Sequence, residues 1–257
     1  MNIQFNFQRF SALLKRDFSV HYRKLPLFAA GLGAFLLLIL GIEMTNDHYT
    51  INNPMLMQEL YSVTLMGLGL VFTSFMFREM YPASNKQFYL LIPASSFEKL
   101  LSKWLLSSIG YVIICTLLFY VLYPVVLLLQ QVLGVSGSYQ FNPFSGDTWL
   151  VLKVYLLVQP LYLLGAAAFD RYALPYTILS MNVIAIGMGL LWAVVGYLLI
   201  GNIEAPVHGT YVDIRPFGRL EDFAQTALGS ALLWLSVFIP GLLSLLVAYF
   251  KIKEKEV

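Results

Sequence analysis

Cysteine is almost absent. Cys115 is the only one in 257 residues, so an intrachain disulfide has no partner and no cysteine cluster can hold zinc. Charge is nearly as scarce. Asp, Glu, Lys and Arg make up 12% of the sequence, about half the share of a soluble domain. A net charge of +2 gives no basic field of the kind that draws nucleic acid. The three histidines, His21, His48 and His208, are scattered, and a shared metal site would need separate loops to meet. No G-x-S-x-G elbow, H-E-x-x-H helix or G-x-x-x-x-G-K-[ST] phosphate loop occurs, and no paired acid and base stands out. The chain is therefore not expected to be an enzyme, to hold a metal or to hydrolyse ATP by itself.

What it has is apolar surface. Hydrophobic residues make up 59% and aromatics 15%, with a mean hydropathy of +0.73. A helix needs about 20 apolar residues to cross about 30 Å of hydrocarbon. Six runs meet that requirement: 25–44, 55–77, 104–129, 149–169, 174–200 and 231–250. Their continuity disfavours an outer-membrane barrel, whose strands alternate. The expected fold is a single all-α polytopic domain over 1–257. The first run is not read as a cleaved signal, because a long aromatic and basic segment precedes it. All but Lys153, Arg215 and Arg219 of the 16 basic residues fall on one side of that arrangement. The positive-inside rule therefore puts both termini in the cytoplasm, in a cell membrane.

Three segments are neither spans nor simple links. In 2–24, Phe7, Phe10, Leu14 and Phe18 share one helical face while Arg9, Lys15, Arg16 and Arg23 project elsewhere, the pattern of an interfacial amphipathic helix. In the cytoplasmic link 78–103, Ser84 with Gln87 and Ser95 with Glu98 are two capping-box patterns. Pro93 between them disfavours helical geometry at Ile92. The spacing predicts a short helix from Ser84 to Leu91, a break, and a second helix from Ser95 that continues into the third span. The first would present Phe88, Tyr89, Leu90 and Leu91, suited to a groove in another protein or simply to the headgroup layer. The outside loop 201–230 is long and mixed, and its tail from Arg219 to Leu228 reads as a short amphipathic piece at the membrane surface.

Within the spans, Glu59 and Lys153 each lie about one turn from the outer end. They are either pathway or interface charges or side chains reaching the headgroups. Pro124, Pro160 and Pro240 fall inside spans. Small residues at Gly67, Gly69, Gly165 to Ala168, Gly187 and Gly189 permit close helix approach. Tyr81, Trp104, Tyr123, Trp149 and Tyr172 read as interfacial anchors.

The stretch Asn85-Lys86-Gln87-Phe88-Tyr89-Leu90-Leu91-Ile92-Pro93-Ala94-Ser95-Ser96-Phe97-Glu98-Lys99-Leu100-Leu101-Ser102-Lys103-Trp104, a leucine-rich piece ending in Pro-x-Ser just before a span, resembles the permease subunits of type-2 ABC exporters. The likeness extends over the chain as architecture and over some twenty residues as sequence. It implies that 2–24 is a connecting helix on the membrane. It also implies that Ser84, Asn85, Lys86, Gln87, Phe88, Tyr89, Leu90 and Leu91, ended by Pro93, form the helix that couples to an ATP-binding cassette subunit. ATP and Mg would be bound by that partner, and a second permease copy or a related permease would complete the pathway. The same likeness makes 201–230 an outside hairpin, although Asp213, Arg215 and Arg219 are unusually charged for a deep insertion. The competing readings are an intramembrane enzyme acting on a lipid or peptide, with Glu59 and Lys153 in its site, and a non-transporting assembly or immunity subunit.

Overall fold

A computed structural model describes residues 5–22, 25–46, 53–80, 91–136, 138–169, 172–200 and 227–256. Among the described residues every regular element is a helix. In order the chain forms α1 (Phe7–Tyr22), α2 (Leu25–Asn46), α3 (Leu56–Ser74), a 3-10 turn at Arg78–Met80, α4 (Ser96–Leu133), α5 (Gly146–Ala168), α6 (Ala173–Ile200) and α7 (Ala227–Glu256).

Among the described residues, four segments are long and apolar enough to cross a membrane: Pro26–Met44, Leu56–Met80, Ser96–Leu133 and Gly146–Ala168. A shorter apolar helical stretch covers Ala173–Gly187. The flanks explain where the helices start and stop. Ser95 and Ser145 sit in extended geometry and accept bonds from the amides of Glu98 and Thr148, which satisfies donors that every helix start leaves unpaired. Gly134 ends α4 with φ of 65°, a left-handed cap that glycine adopts without a Cβ penalty. Pro124, Pro160 and Pro240 lie inside α4, α5 and α7.

Helices α3, α4 and α5 form the centre, with α2, α6 and α7 against them. One apolar cluster unites Leu40 and Met44 of α2, Tyr61 and Leu65 of α3, Phe119 and Val126 of α4, and Tyr155 of α5. A second, at the opposite end, joins Met76, Phe77, Leu100, Leu163, Ala248 and Ile252. Elsewhere large apolar side chains face outward, among them Leu27, Phe35, Leu117, Val121, Val183 and Ile186. Such extensive apolar surface suits lipid, not water. Glycine sets two of the helix crossings. A Cβ on Gly69 would run into the Tyr111 and Tyr155 rings, and one on Gly165 would overlap Thr177 of α6.

The third membrane helix runs on from Ser96, so the capped segment after Ser95 continues into the span as its spacing predicts. A boundary differs from the sequence reading near the end of the chain. The last helix starts at Ala227, so 227–230 belong to it and not to the outside loop, and 201–226 lie outside the described residues.

Candidate functional site

The start of α4 is where charge has been buried. Glu98 is fully buried and closes the capping box, its side chain accepting from the Ser95 amide at 2.8 Å. Its other oxygen accepts from the amide of Asn6 at 2.8 Å and lies 3.4 Å from the Arg9 guanidinium. Asn6 in turn accepts from the Gln8 amide. The carboxylate therefore sits at the beginnings of α1 and α4 together, where unpaired amides and both helix dipoles favour negative charge.

One turn further on, Asp17 of α1 and Lys103 of α4 pair at 3.3 Å, each 1% exposed. Asp17 also accepts from the Ser102 hydroxyl at 2.9 Å and lies 3.4 Å from Arg16. Arg16 reaches Glu79 of the 3-10 turn at 3.3 Å, and Lys103 stands 4.0 Å from the same carboxylate. The network ties α1, the end of α3 and the first two turns of α4 into one body. Helical spacing makes this possible: Glu98, Ser102 and the adjacent Lys103 recur about every four residues and so face α1. Removing one partner of such a buried pair costs about 3–5 kcal/mol, because the survivor stays charged without compensation.

Deeper in α4 the backbone widens into a π turn at Leu106–Gly110. The Tyr111 amide bonds the Leu106 carbonyl, five residues back. The Tyr155 hydroxyl donates to the Ser107 carbonyl at 2.5 Å, and the Gln159 amide donates to the Ser107 hydroxyl at 2.5 Å. The Tyr111 hydroxyl donates to the Thr64 carbonyl at 2.8 Å. A polar seam thus joins α3, α4 and α5 inside the apolar bundle, with the π turn at its middle. Such turns are frequent at functional positions.

At the far end, Gln58 fastens α3 to the loop before α5. It donates to the Thr148 hydroxyl and accepts from the Asn142 amide at 2.9 Å. Phe141 of that loop rests among Tyr61, Phe119, Tyr120 and Tyr123.

The residues singled out from sequence are distributed as follows. Ser95 and Glu98 form their capping box, and the chain turns at 91–95 around Pro93, with the Ala94 amide bonded to the Ile92 carbonyl. Leu91 is exposed. Ser84, Asn85, Lys86, Gln87, Phe88, Tyr89 and Leu90 lie outside the described residues, as does Tyr81. Along α1, Phe10 is buried and Leu14 half-buried, while Phe7 and Phe18 are exposed. The face that docks on α4 is Phe10, Leu13 and Asp17, rotated from the aromatic line, because an ion pair and not only apolar area fixes it. Glu59 occupies the first turn of α3, exposed, and accepts from Asn53 at 3.2 Å. Lys153 is exposed on α5, and the two form no ion pair with each other among the described residues. Asp17, Glu79, Ser107 and Gln159 were not anticipated. The signal for the first was a carboxylate on α1 one helical turn from Leu13, and for Ser107 a serine pair interrupting an apolar run.

Among the described residues, no group of three or more His, Cys, Asp or Glu side chains could hold a metal ion. No family model matches the chain, and no curated protein or solved structure matches it.

Proposed function

We propose that the chain is the membrane-spanning permease subunit of an ATP-driven exporter of the type-2 ABC class. In this reading six helices cross a cell membrane with both termini in the cytoplasm. The protein pairs with a second copy or a related permease, and a separate subunit binds ATP and Mg.

The observation that carries the proposal is the unbroken helix Ser96–Leu133. Its 38 residues span about 57 Å at about 1.5 Å each, against about 30 Å of hydrocarbon. Such a rod extends well beyond the bilayer, and its protruding start is clamped by Glu98, Asp17 and Lys103 to α1 and to the end of α3. A push at the cytoplasmic link would therefore reach α3, α4 and α1 together rather than bend one helix. ATP binding draws the two nucleotide-binding subunits together, and each moves the segment from Ser84 to Leu91. The turn at Pro93 passes that motion to the rod, and the seam at Ser107, Tyr155 and Gln159 passes it to α5. This chain transmits force and lines the route; the partner supplies the energy.

The test is the double substitution Phe88→Asp and Leu91→Asp in the complex with its ATP-binding subunit. The folded permease should lose both copurification and stimulated ATPase activity. Normal stimulation by the double variant would refute the assignment.

A further inference from the structure

Helices α4, α5 and α7 do not close against one another completely. Between them lies a groove of about 760 Å³, within the range of about 300–1,000 Å³ typical of ligand clefts. Its walls are Leu101 and Trp104 of α4, Leu157 and Pro160 of α5, and Leu242 and Tyr249 of α7. At its floor α7 approaches α5 through Gly241, where a Cβ would stand 3.2 Å from the Leu157 carbonyl oxygen.

One charged side chain follows on from this apolar wall. Lys253 lies one helical turn beyond Tyr249 and continues the stripe of Leu242, Leu246 and Tyr249 that faces the groove. Its neighbours are occupied: Lys251 pairs with Glu254 at 2.8 Å, and Lys255 donates to the Ala167 carbonyl at 3.0 Å. Lys253 is exposed and has no such partner among the described residues. The Ala167 bond also sets the level of this turn, since Ala167 lies at the very end of α5. The cation is therefore placed where the apolar helices stop, at the height of lipid headgroups.

We infer that the groove between α4, α5 and α7 binds an anionic phospholipid, its acyl chain along the apolar walls and its phosphate at Lys253. An apolar slot ending in one uncommitted cation matches the two ends of that molecule. A zwitterionic lipid offers the same chains but pairs its phosphate with its own ammonium. This inference requires a membrane around the bundle but not the exporter reading.

Brominated-lipid quenching in vesicles tests it. The full chain carrying Trp149→Phe, Trp192→Phe and Trp234→Phe leaves Trp104 as the sole indole. Brominated phosphatidylglycerol should displace phosphatidylcholine from Trp104 with a clear preference. That preference should fall about five-fold on Lys253→Gln, the factor that about 1 kcal/mol per interfacial lysine represents. Lys253→Arg and Lys251→Gln should retain it. Equal quenching by brominated phosphatidylglycerol and brominated phosphatidylcholine in the parent would overturn the inference, as would a preference unchanged in Lys253→Gln. Absence of quenching by both lipids would also overturn it, because protein, including a second copy of the chain, would then fill the groove.

Discussion

Replacing Asp17 with alanine should destabilise the protein far more than the loss of one residue on a peripheral helix suggests. The Lys103 ammonium lies in a site closed to water, 1% exposed. It would lose its 3.3 Å partner, and the Ser102 hydroxyl would lose its acceptor. Orphaning a buried ion costs about 3–5 kcal/mol. Glu79, 4.0 Å from Lys103 and only partly buried, can take over some of the pairing, which places the expected loss at the lower end, about 3 kcal/mol. At about 2–4 °C per kcal/mol for a chain near this size, that is a drop of about 6–12 °C in the melting midpoint. Cys115 makes the assay simple. It is the sole thiol and is buried among α4 neighbours, so a thiol-reactive dye reports its exposure on heating in detergent, at one fixed heating rate because unfolding there is kinetically controlled. Undocking of α1 alone would show as new tryptic cleavage at Lys15 and Arg16. The companion double variant, Asp17→Leu with Lys103→Met, leaves no charge behind and should recover most of the loss. A midpoint shift under about 2 °C without new cleavage, or a double variant as unstable as the single one, would refute the account of the ion pair.

Two further outcomes follow from the interior. Tyr155→Phe removes the hydroxyl that satisfies the Ser107 carbonyl and should cost about 1–3 kcal/mol in the same thiol assay, whereas Tyr176→Phe, on the exposed side of α6, should cost nothing measurable. Gly165→Leu would force a side chain into Thr177 and separate α5 from α6, so the variant should elute as aggregate in size exclusion; Gly31→Leu, facing open space, should elute as the parent does.

The features legible in the sequence were those that a few neighbouring residues determine. The box of Ser95 and Glu98, the turn at Pro93, the continuation into the third span, the prolines within α4, α5 and α7, and the close approach at Gly69 and Gly165 all depend on local chemistry or on residue size, although Gly67, Gly187 and Gly189 face open space. Asp17 was opaque for the opposite reason. Its partner Ser102 is 85 positions away, and on a helical wheel of α1 the carboxylate looks like one more solvated charge beside Arg16. Aromatic register selected Phe7 and Phe18, which are exposed, because apolar periodicity cannot distinguish a face turned to lipid from one turned to protein. The bond from Gln58 to Thr148 likewise joins residues 90 positions apart. The widened turn at Leu106–Gly110 leaves almost no trace in composition, since a π turn needs no special residue type.

That turn has a consequence for the phase of the whole rod. Each residue of an α-helix advances about 100° around the axis, so the one residue by which a π turn exceeds an α turn rotates everything before it relative to everything after it. Buried positions on α4 form a broad face at 98–100, 102 and 103 before the widened turn and a narrow stripe at 111, 115, 119, 122 and 126 after it. Without it, the carboxylate and ammonium of the first two turns would be swung about a quarter of the way round, off α1, while the membrane half stayed seated on α3 and α5. The extra residue acts as a timing mark that keeps two independently determined surfaces on one seam.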